Sequence, residues 1–491
     1  MRALTGGIAA AMGALLLASG VAQAKTFEVT RANDPNPGNC QPRNCSLREA
    51  VLAANERPGA DKILLPGKRY ELTRANPAGD EDAGDFGDLD INNDALALVH
   101  PGGGKAKIDG NLLDRVLHVQ AGAPTALKKV VVTRGDSDGN DGGGILADAG
   151  LRLSKSAVVR NSGDDGAGID LDGDAKLTMN RSAVSNNEAD DLGGGINTSD
   201  AGAVIVRSRI TGNESFSEGA GLDGAGGGQA RIVRSTIQGN RALGDAGGGI
   251  EADFSRLVIT QSTVSGNRAA GNGGGGIYGT GAGEIVITSS TISDNRATDP
   301  AGNGGGIYVD GPTVSITNST IDGNRANTRG GGIHAQDGAD VTLNAVTVTR
   351  NVAAADDDFI VLIGGGGLSR ISSAGFDVRS SLIALNTVGA PGSSSGNDCA
   401  GDTPFGSLGN NLLSTTVAGA NCDGFDEATD LVRSNPKIGQ LRKNGGPTKT
   451  VELKQGSAAI GHAHNPSAPN RDQRGRKRDG NPDSGAFERG A

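Results

Sequence analysis

Between Val132 and Asn386 one short phrase recurs, most clearly as NSTIDGNRANTRGGGI from Asn318 to Ile333. Close variants are SSTISDNRATDPAGNGGGIY, Ser289 to Tyr308, and QSTVSGNRAAGNGGGGIY, Gln261 to Tyr278. An anchoring asparagine stands at Asn161, Asn187, Asn213, Asn240, Asn267, Asn295, Asn324, Asn351 and Asn386, at spacings of 26, 26, 27, 27, 28, 29, 27 and 35 residues. A unit of that size cannot bury a core alone, so it must stack on its neighbours as one coil of a solenoid.

Each unit holds three β-prone runs separated by turn residues. In one unit they are GGGIYV (Gly304 to Val309), TVSIT (Thr313 to Thr317) and STI (Ser319 to Ile321). Val, Ile and Thr alternate with polar residues, the period of a strand with one buried face. Three strands per coil, each paired with its copy roughly 4.8 Å away, make an all-β parallel β-helix. About ten coils on that spacing give a rod roughly 45–50 Å long. The glycine runs at Gly142 to Gly144, Gly193 to Gly195, Gly247 to Gly249, Gly304 to Gly306 and Gly330 to Gly332 are expected to make tight corners with positive φ. The asparagines are expected to tolerate the left-handed conformation and to bond their own backbone and the next coil. This architecture accounts for 82 glycines in 491 residues, since no G-X-Y period is present.

Met1 to Ala24 reads as a secretory leader: Arg2, an apolar stretch through Leu15-Leu16-Leu17, then Ala22-Gln23-Ala24 before Lys25. The chain carries a formal charge of −10, or −11 once Arg2 is removed with the leader, which argues against nucleic acid as partner. No other run is long enough to span a bilayer. Aromatics are 2% with no Trp, so the usual stacking platforms for sugars and bases are missing. The mature protein is therefore expected to be exported, soluble or held at the cell surface by other molecules. The organisation expected is a leader at 1–24, an N-terminal cap at 25–105, β-helix repeats at 106–396 and a C-terminal module at 397–491.

Four cysteines permit three pairings, of which the sequence-local one, Cys40–Cys45 and Cys399–Cys422, is taken for an exported chain. No cysteine/histidine set has zinc spacing. From Cys40 the chain reads CQPRNCSLREAVLAAN, where Ser46 and Glu49 form a capping box ahead of Leu47, Val51 and Leu52. A single helix there is expected to plug the open end of the solenoid core.

The segments CSLREAVLAAN (Cys45 to Asn55), GDLDI (Gly87 to Ile91) and KIDGNLLDRVLHV (Lys107 to Val119) resemble the bacterial CSLREA-domain proteins. The pieces NDCAG, GNNLL, Cys422, LRKNGGPTKT and DQRGRKRDGNPDSGAFE (Asp472 to Glu488) resemble the choice-of-anchor Q module. The middle, with I-x-x-N and GGGI, is similar to polymorphic outer-membrane protein repeats. These resemblances imply an exported right-handed parallel β-helix of the pectin-lyase-like architecture and carry over no catalytic residues. Relatives with the tail module usually continue into a sorting or anchoring signal; this chain stops three residues after Glu488, against covalent anchoring.

Two constellations could carry function. Asp136, Asp138 and Asp141, then Asp164 and Asp165, then Asp190 and Asp191 fall on successive turns, where coil stacking would gather seven carboxylates on one edge. Such an edge suits calcium, which takes six to eight oxygen ligands. Arg134 and Arg160 stand near it, so acids plus Arg on a β-helix resemble polysaccharide lyases that act on uronic acids. The Asp136 loop lacks Gly at position six and Glu at position twelve, which rules out an EF-hand. The N-T-D, G-H-G and R-I-K motifs of pectin hydrolases are not assembled either, and scattered Asp residues do not set the carboxyl separation that hydrolysis needs. Farther along, Arg241, Arg268, Arg296 and Arg325 each follow an anchoring asparagine, which would stack four guanidinium groups roughly 5 Å apart as a strip for anionic polymer. The reading is an exported scaffold with a binding or structural role and no catalytic residues assigned. Its alternative is a calcium-dependent lyase on an acidic polysaccharide.

Overall fold

The computed structural model describes residues 24–35, 37–76, 84–92, 94–353, 364–389, 395–414, 422–464 and 466–490. The expected leader falls on residues outside these, apart from Ala24. The described chain is a parallel β-solenoid with a single helix, Leu47–Asn55. In one coil the path runs through Ile307–Asp310 after the glycine run, Thr313–Thr317, Thr320–Asp322 and Arg325–Ala326. The first three are the strands expected from the repeat. The fourth is a two-residue ladder too short for alternation to reveal.

Stacking these strands gives a long sheet of fourteen strands, a second sheet of thirteen and a narrow ladder of ten. The glycine-led strands form sheets of five and six, bridged by Leu222, which pairs with both Ile196 and Ile250. The long sheet opens at Thr26–Glu28, paired with Asp61–Leu64, so the solenoid begins well before residue 106. The early coils lack the glycine phrase, which is why the sequence placed their onset late. Thirteen spacings of about 4.8 Å make the long sheet about 60 Å from end to end.

Ile145, Ile169, Ile196, Ile250, Ile277, Ile307 and Ile333 are all fully buried in one interior column. Burying each such side chain is worth about 1.5–3 kcal/mol, and the repeat supplies one per coil. Two corners keep the coils in register. At the first, the amide of Ser208 donates to Ser235 Oγ at 3.1 Å and Ser235 to Ser262 likewise. At the second, both the amide and Nδ2 of each anchoring asparagine donate to Oδ1 of the next, as from Asn267 to Asn295 at 3.0 and 2.9 Å. This amide ladder runs from Asn161 to Asn386, where Asp398 takes over as acceptor. The left-handed residue is not the asparagine itself but the one before it, including Arg160 (φ 59°), Asp294 (57°) and Leu385 (60°).

Ser46 caps the helix with the full reciprocal box to Glu49. Leu47 and Val51 are buried against the first coils. The fully buried Arg48 explains more of this segment than the apolar face does. Its guanidinium meets Asp34 at 2.9 and 3.0 Å and donates to the carbonyls of Gly84, Phe86, Gly87 and Asp88. Both disulfides pair as expected, Cys40 with Cys45 and Cys399 with Cys422.

Past Ser434 the chain turns back as a strap along the second sheet, starting with the hairpin Ile438–Arg442 and Thr450–Leu453. Gln473 Nε2 donates to the Ser290 carbonyl at 2.9 Å, while Thr320 donates to Gln473 Oε1 at 2.6 Å. Arg478 reaches Asn318 Oδ1 at 3.1 Å and Glu488 at 3.0 Å. The amides of Ala486 and Gly485 meet Thr347 and Ser380. No described helix is long and apolar enough to cross a membrane.

Candidate functional site

The residue that follows an interior isoleucine points outward, yet on most coils it is covered, Leu146 and Tyr278 being half-buried. Register aligns Asp170 with Asn197 in this column, then Asp223 and Glu251 after Leu222 and Ile250, then Tyr278, Tyr308 and His334. The glycine run supplies the cover, and each of its members answers a different steric demand. A Cβ on Gly247 (φ 67°) would sit 3.0 Å from the Glu251 backbone. One on Gly248 would come within 2.3 Å of the Arg268 carbonyl in the narrow ladder. One on Gly249 would meet the Gly276 carbonyl at 2.4 Å. The first and third places are glycine on every coil that carries the phrase, whereas Ala167 and Ala220 fill the middle place on the coils of Asp170 and Asp223, so the turn folds down onto the column on its two outer glycines.

Covering acids has an electrostatic cost. Asp223 is buried and its Oδ1 has no hydrogen-bond partner; Glu251 is buried too, and its Oε2 has none. Burial pushes Asp223 up to about 8, reinforced by Glu218, Asp165 and Asp191. Burial also holds Glu251 well above the ordinary range, reinforced by Asp223 and then Glu218. Asp170 is pushed up to about 8 by burial even though its Oδ1 accepts from Asn197 Nδ2 at 2.8 Å. Glu218 rises to about 7 through burial and Asp245. Beyond these, Tyr278 and Tyr308 stack with centroids 5.0 Å apart, and burial drives His334 down to about 4, so it stays neutral.

Five of the seven acids singled out in the sequence flank this column. Burial raises the Asp164 carboxyl, with Asp141, Asp191 and Asp190 adding to it, and Asp165 climbs to about 6 by burial with Asp141, Asp191 and Asp164 beside it. The Asp165 amide donates to Asp141 Oδ1 at 3.3 Å. Asp136 and Asp138 stand aside: Asp136 bridges to Ser162 at the head of the narrow ladder, and Asp138 is exposed. Arg134 donates to Asn111 Oδ1 at 3.0 Å and sits 3.5 Å from Asp109 rather than over the acids. Arg160 is exposed.

The four arginines are in register, with Arg241 beside Arg268, then Arg296, then Arg325. Arg241 meets Glu214 of the preceding coil at 3.4 Å, and Arg268 donates to Thr298 Oγ1 at 3.1 Å. Glu188 and Glu214 occupy the same column on the two coils before them. One edge of the rod thus changes from acid to base along its length.

Among the described residues, one set of three metal-ligating side chains has its donor atoms within 4.8 Å of one another: Asp88, Asp90 and His118. It was missed because its members lie 30 residues apart in two motifs noted for resemblance rather than chemistry. A closer signal was available, since GDLDI and DRVLHV place polar residues one step after or before the buried Leu89 and Leu117.

Residues 218–397 match the family model described as "Right handed beta helix region", which agrees with the winding expected from the sequence. Among curated proteins no match is found. Among solved structures the chain is similar to pectate lyase Pel9A, at 14% identity and a TM-score of 0.41, covering 96% of this chain and 98% of that one. From Gly135 to Asp398 the described chain is thus a right-handed parallel β-helix with an amide ladder at one corner and a glycine-covered polar column beside it.

Proposed function

We propose that this protein is an exported, surface-associated β-helix scaffold that binds an anionic polymer, such as an acidic extracellular polysaccharide, along its arginine ladder. The observation that carries the reading is the register of Arg241, Arg268, Arg296 and Arg325 on consecutive coils. A rigid row of cations at about 4.8 Å intervals offers repeated contacts to a chain of regularly spaced carboxylates or sulfates. Stacked aliphatic side chains fill the interior, so a polymer is bound on the outer surface, where the arginine ladder lies. The test is binding of the mature protein to polygalacturonate and dextran sulfate over a range of salt. Binding should weaken as salt rises, and R268Q with R296Q should weaken it and flatten the salt dependence. Failure to bind either polymer at low salt overturns the reading. Calcium-dependent release of unsaturated, ultraviolet-absorbing uronides would replace it with the lyase alternative.

A further inference from the structure

The geometry points to a second site, independent of the arginine ladder: Asp88, Asp90 and His118 bind one divalent ion of the borderline class, such as zinc. Leu89 and Ile91 face the core, so Asp88 and Asp90 project to the other side of the same short strand. The next coil places His118 directly opposite Asp90. All three residues are more than nine-tenths buried, at 3%, 0% and 8% exposure. Asp88 Oδ2 and Asp90 Oδ2 have no hydrogen-bond partner.

The surroundings have the form of a metal site's outer layer. His118 Nδ1 lies 3.2 Å from Asp90 Oδ1, while Nε2 on the far side of the ring lies 3.3 Å from Asp148 Oδ2. With the Nε2 proton held by Asp148, Nδ1 is left as a lone-pair donor toward the two aspartates, the carboxylate–histidine–metal arrangement. Gln120 Nε2 donates to the same Asp90 Oδ1 at 3.1 Å, which holds the carboxylate in place and leaves Oδ2 open. Charge argues the same way. Asp88, Asp90, Asp114 and Asp148 crowd four carboxyl groups around one guanidinium, Arg115 at 3.5 Å from Asp88, an excess of acid that a divalent ion would offset. The imidazole favours zinc over calcium, magnesium and manganese, which prefer oxygen shells.

The position also gives the ion a task. Arg48 of the capping helix grips the carbonyls from Gly84 to Asp88, and Asn55 Nδ2 donates to the Asp90 carbonyl at 2.7 Å. An ion on Asp88, Asp90 and His118 would fasten that segment to the following coil and seat the cap.

The experiment uses the full mature protein, stripped with chelator and titrated separately with zinc, manganese and calcium by calorimetry. Hydrogen exchange is followed with and without metal. Expected are one equivalent of zinc, weaker uptake of manganese, and slowed exchange confined to peptides covering 84–92 and 116–120. H118Q should abolish uptake, and D148N should weaken it by about 10–100-fold as a positioning change. Should H118Q fail to fold, the exchange map of the wild type still decides. Lack of stoichiometric uptake overturns the assignment. Uptake with protection at 141–191 instead, or of calcium alone, overturns it equally.

Discussion

Replacing Asp223 by Asn should change how stability depends on pH more than it changes stability at any one pH. Asp223 is 1% exposed, and its carboxyl is pushed from an ordinary 3.8 to about 8. Between those values the native state keeps a proton that the unfolded chain has released. The native protein then holds more protons, so its stability is full below about pH 4 and is lost as pH rises through about 8. One retained proton corresponds to about 1.4 kcal/mol per pH unit, or about 2.7 kcal/mol between pH 5 and 7. Glu251, shifted in the same direction, adds to the slope. Asn has nearly the same shape and no titration, so D223N should remove about 1.4 kcal/mol per unit from the slope and leave the Glu251 part. The assay is hydrogen exchange of peptides covering 218–254 at pH 5 to 8, corrected for the intrinsic rate. Because solenoid coils open in local units, it reads the affected coils directly. Equal slopes in wild type and variant would falsify the claim that Asp223 is buried as the neutral acid.

Leu47→Asp should destabilise the N-terminal coils by about 3 kcal/mol or more, read by urea unfolding, because it puts an unpaired charge under the capping helix; a wild-type midpoint refutes the plug. Asn295→Ala removes the acceptor for both the amide and Nδ2 of Asn267 and should cost about 2–4 kcal/mol, read as faster exchange of those coils. Gly249→Ala should be among the worst single-methyl additions, since the new carbon would meet the Gly276 carbonyl at 2.4 Å in a place that is glycine on every coil carrying the phrase; unchanged melting would refute the packing argument. Millimolar calcium should raise the melting temperature through the acidic edge, and D165N with D190N should abolish the rise.

What was legible divides along physical lines. The coil was legible because the glycines of each turn meet unrelated backbone neighbours, so the first and third recur at every repeat and only the middle place varies, to Ala167 and Ala220. Expected stacking of the asparagines and arginines followed from the same period and is what register delivers. The covered acids were hidden because Asp170, Asp223 and Glu251 each follow an inward residue, and alternation alone assigns that place to solvent. Their burial comes from a turn folding back over them, a tertiary effect absent from any strand pattern. Position φ was misassigned by one residue, since Arg160 and Leu385 adopt a conformation that their side chains do not advertise. The strap was equally opaque: Gln473 finds Ser290 across 183 residues, and no local signal spans that distance.

That strap changes what the individual coils are free to do. Its hydrogen bonds land on Thr291, Thr320, Asn344, Ser380 and Asn410, one per successive coil of the second sheet. A bare solenoid can fray from its end one rung at a time, because each rung answers only to its neighbours. Here the last rung cannot leave until a staple across five of them has been lifted. The stapled coils should therefore open together, and a chain pulled from its C-terminus should first give up the strap as one event and only then unwind rung by rung.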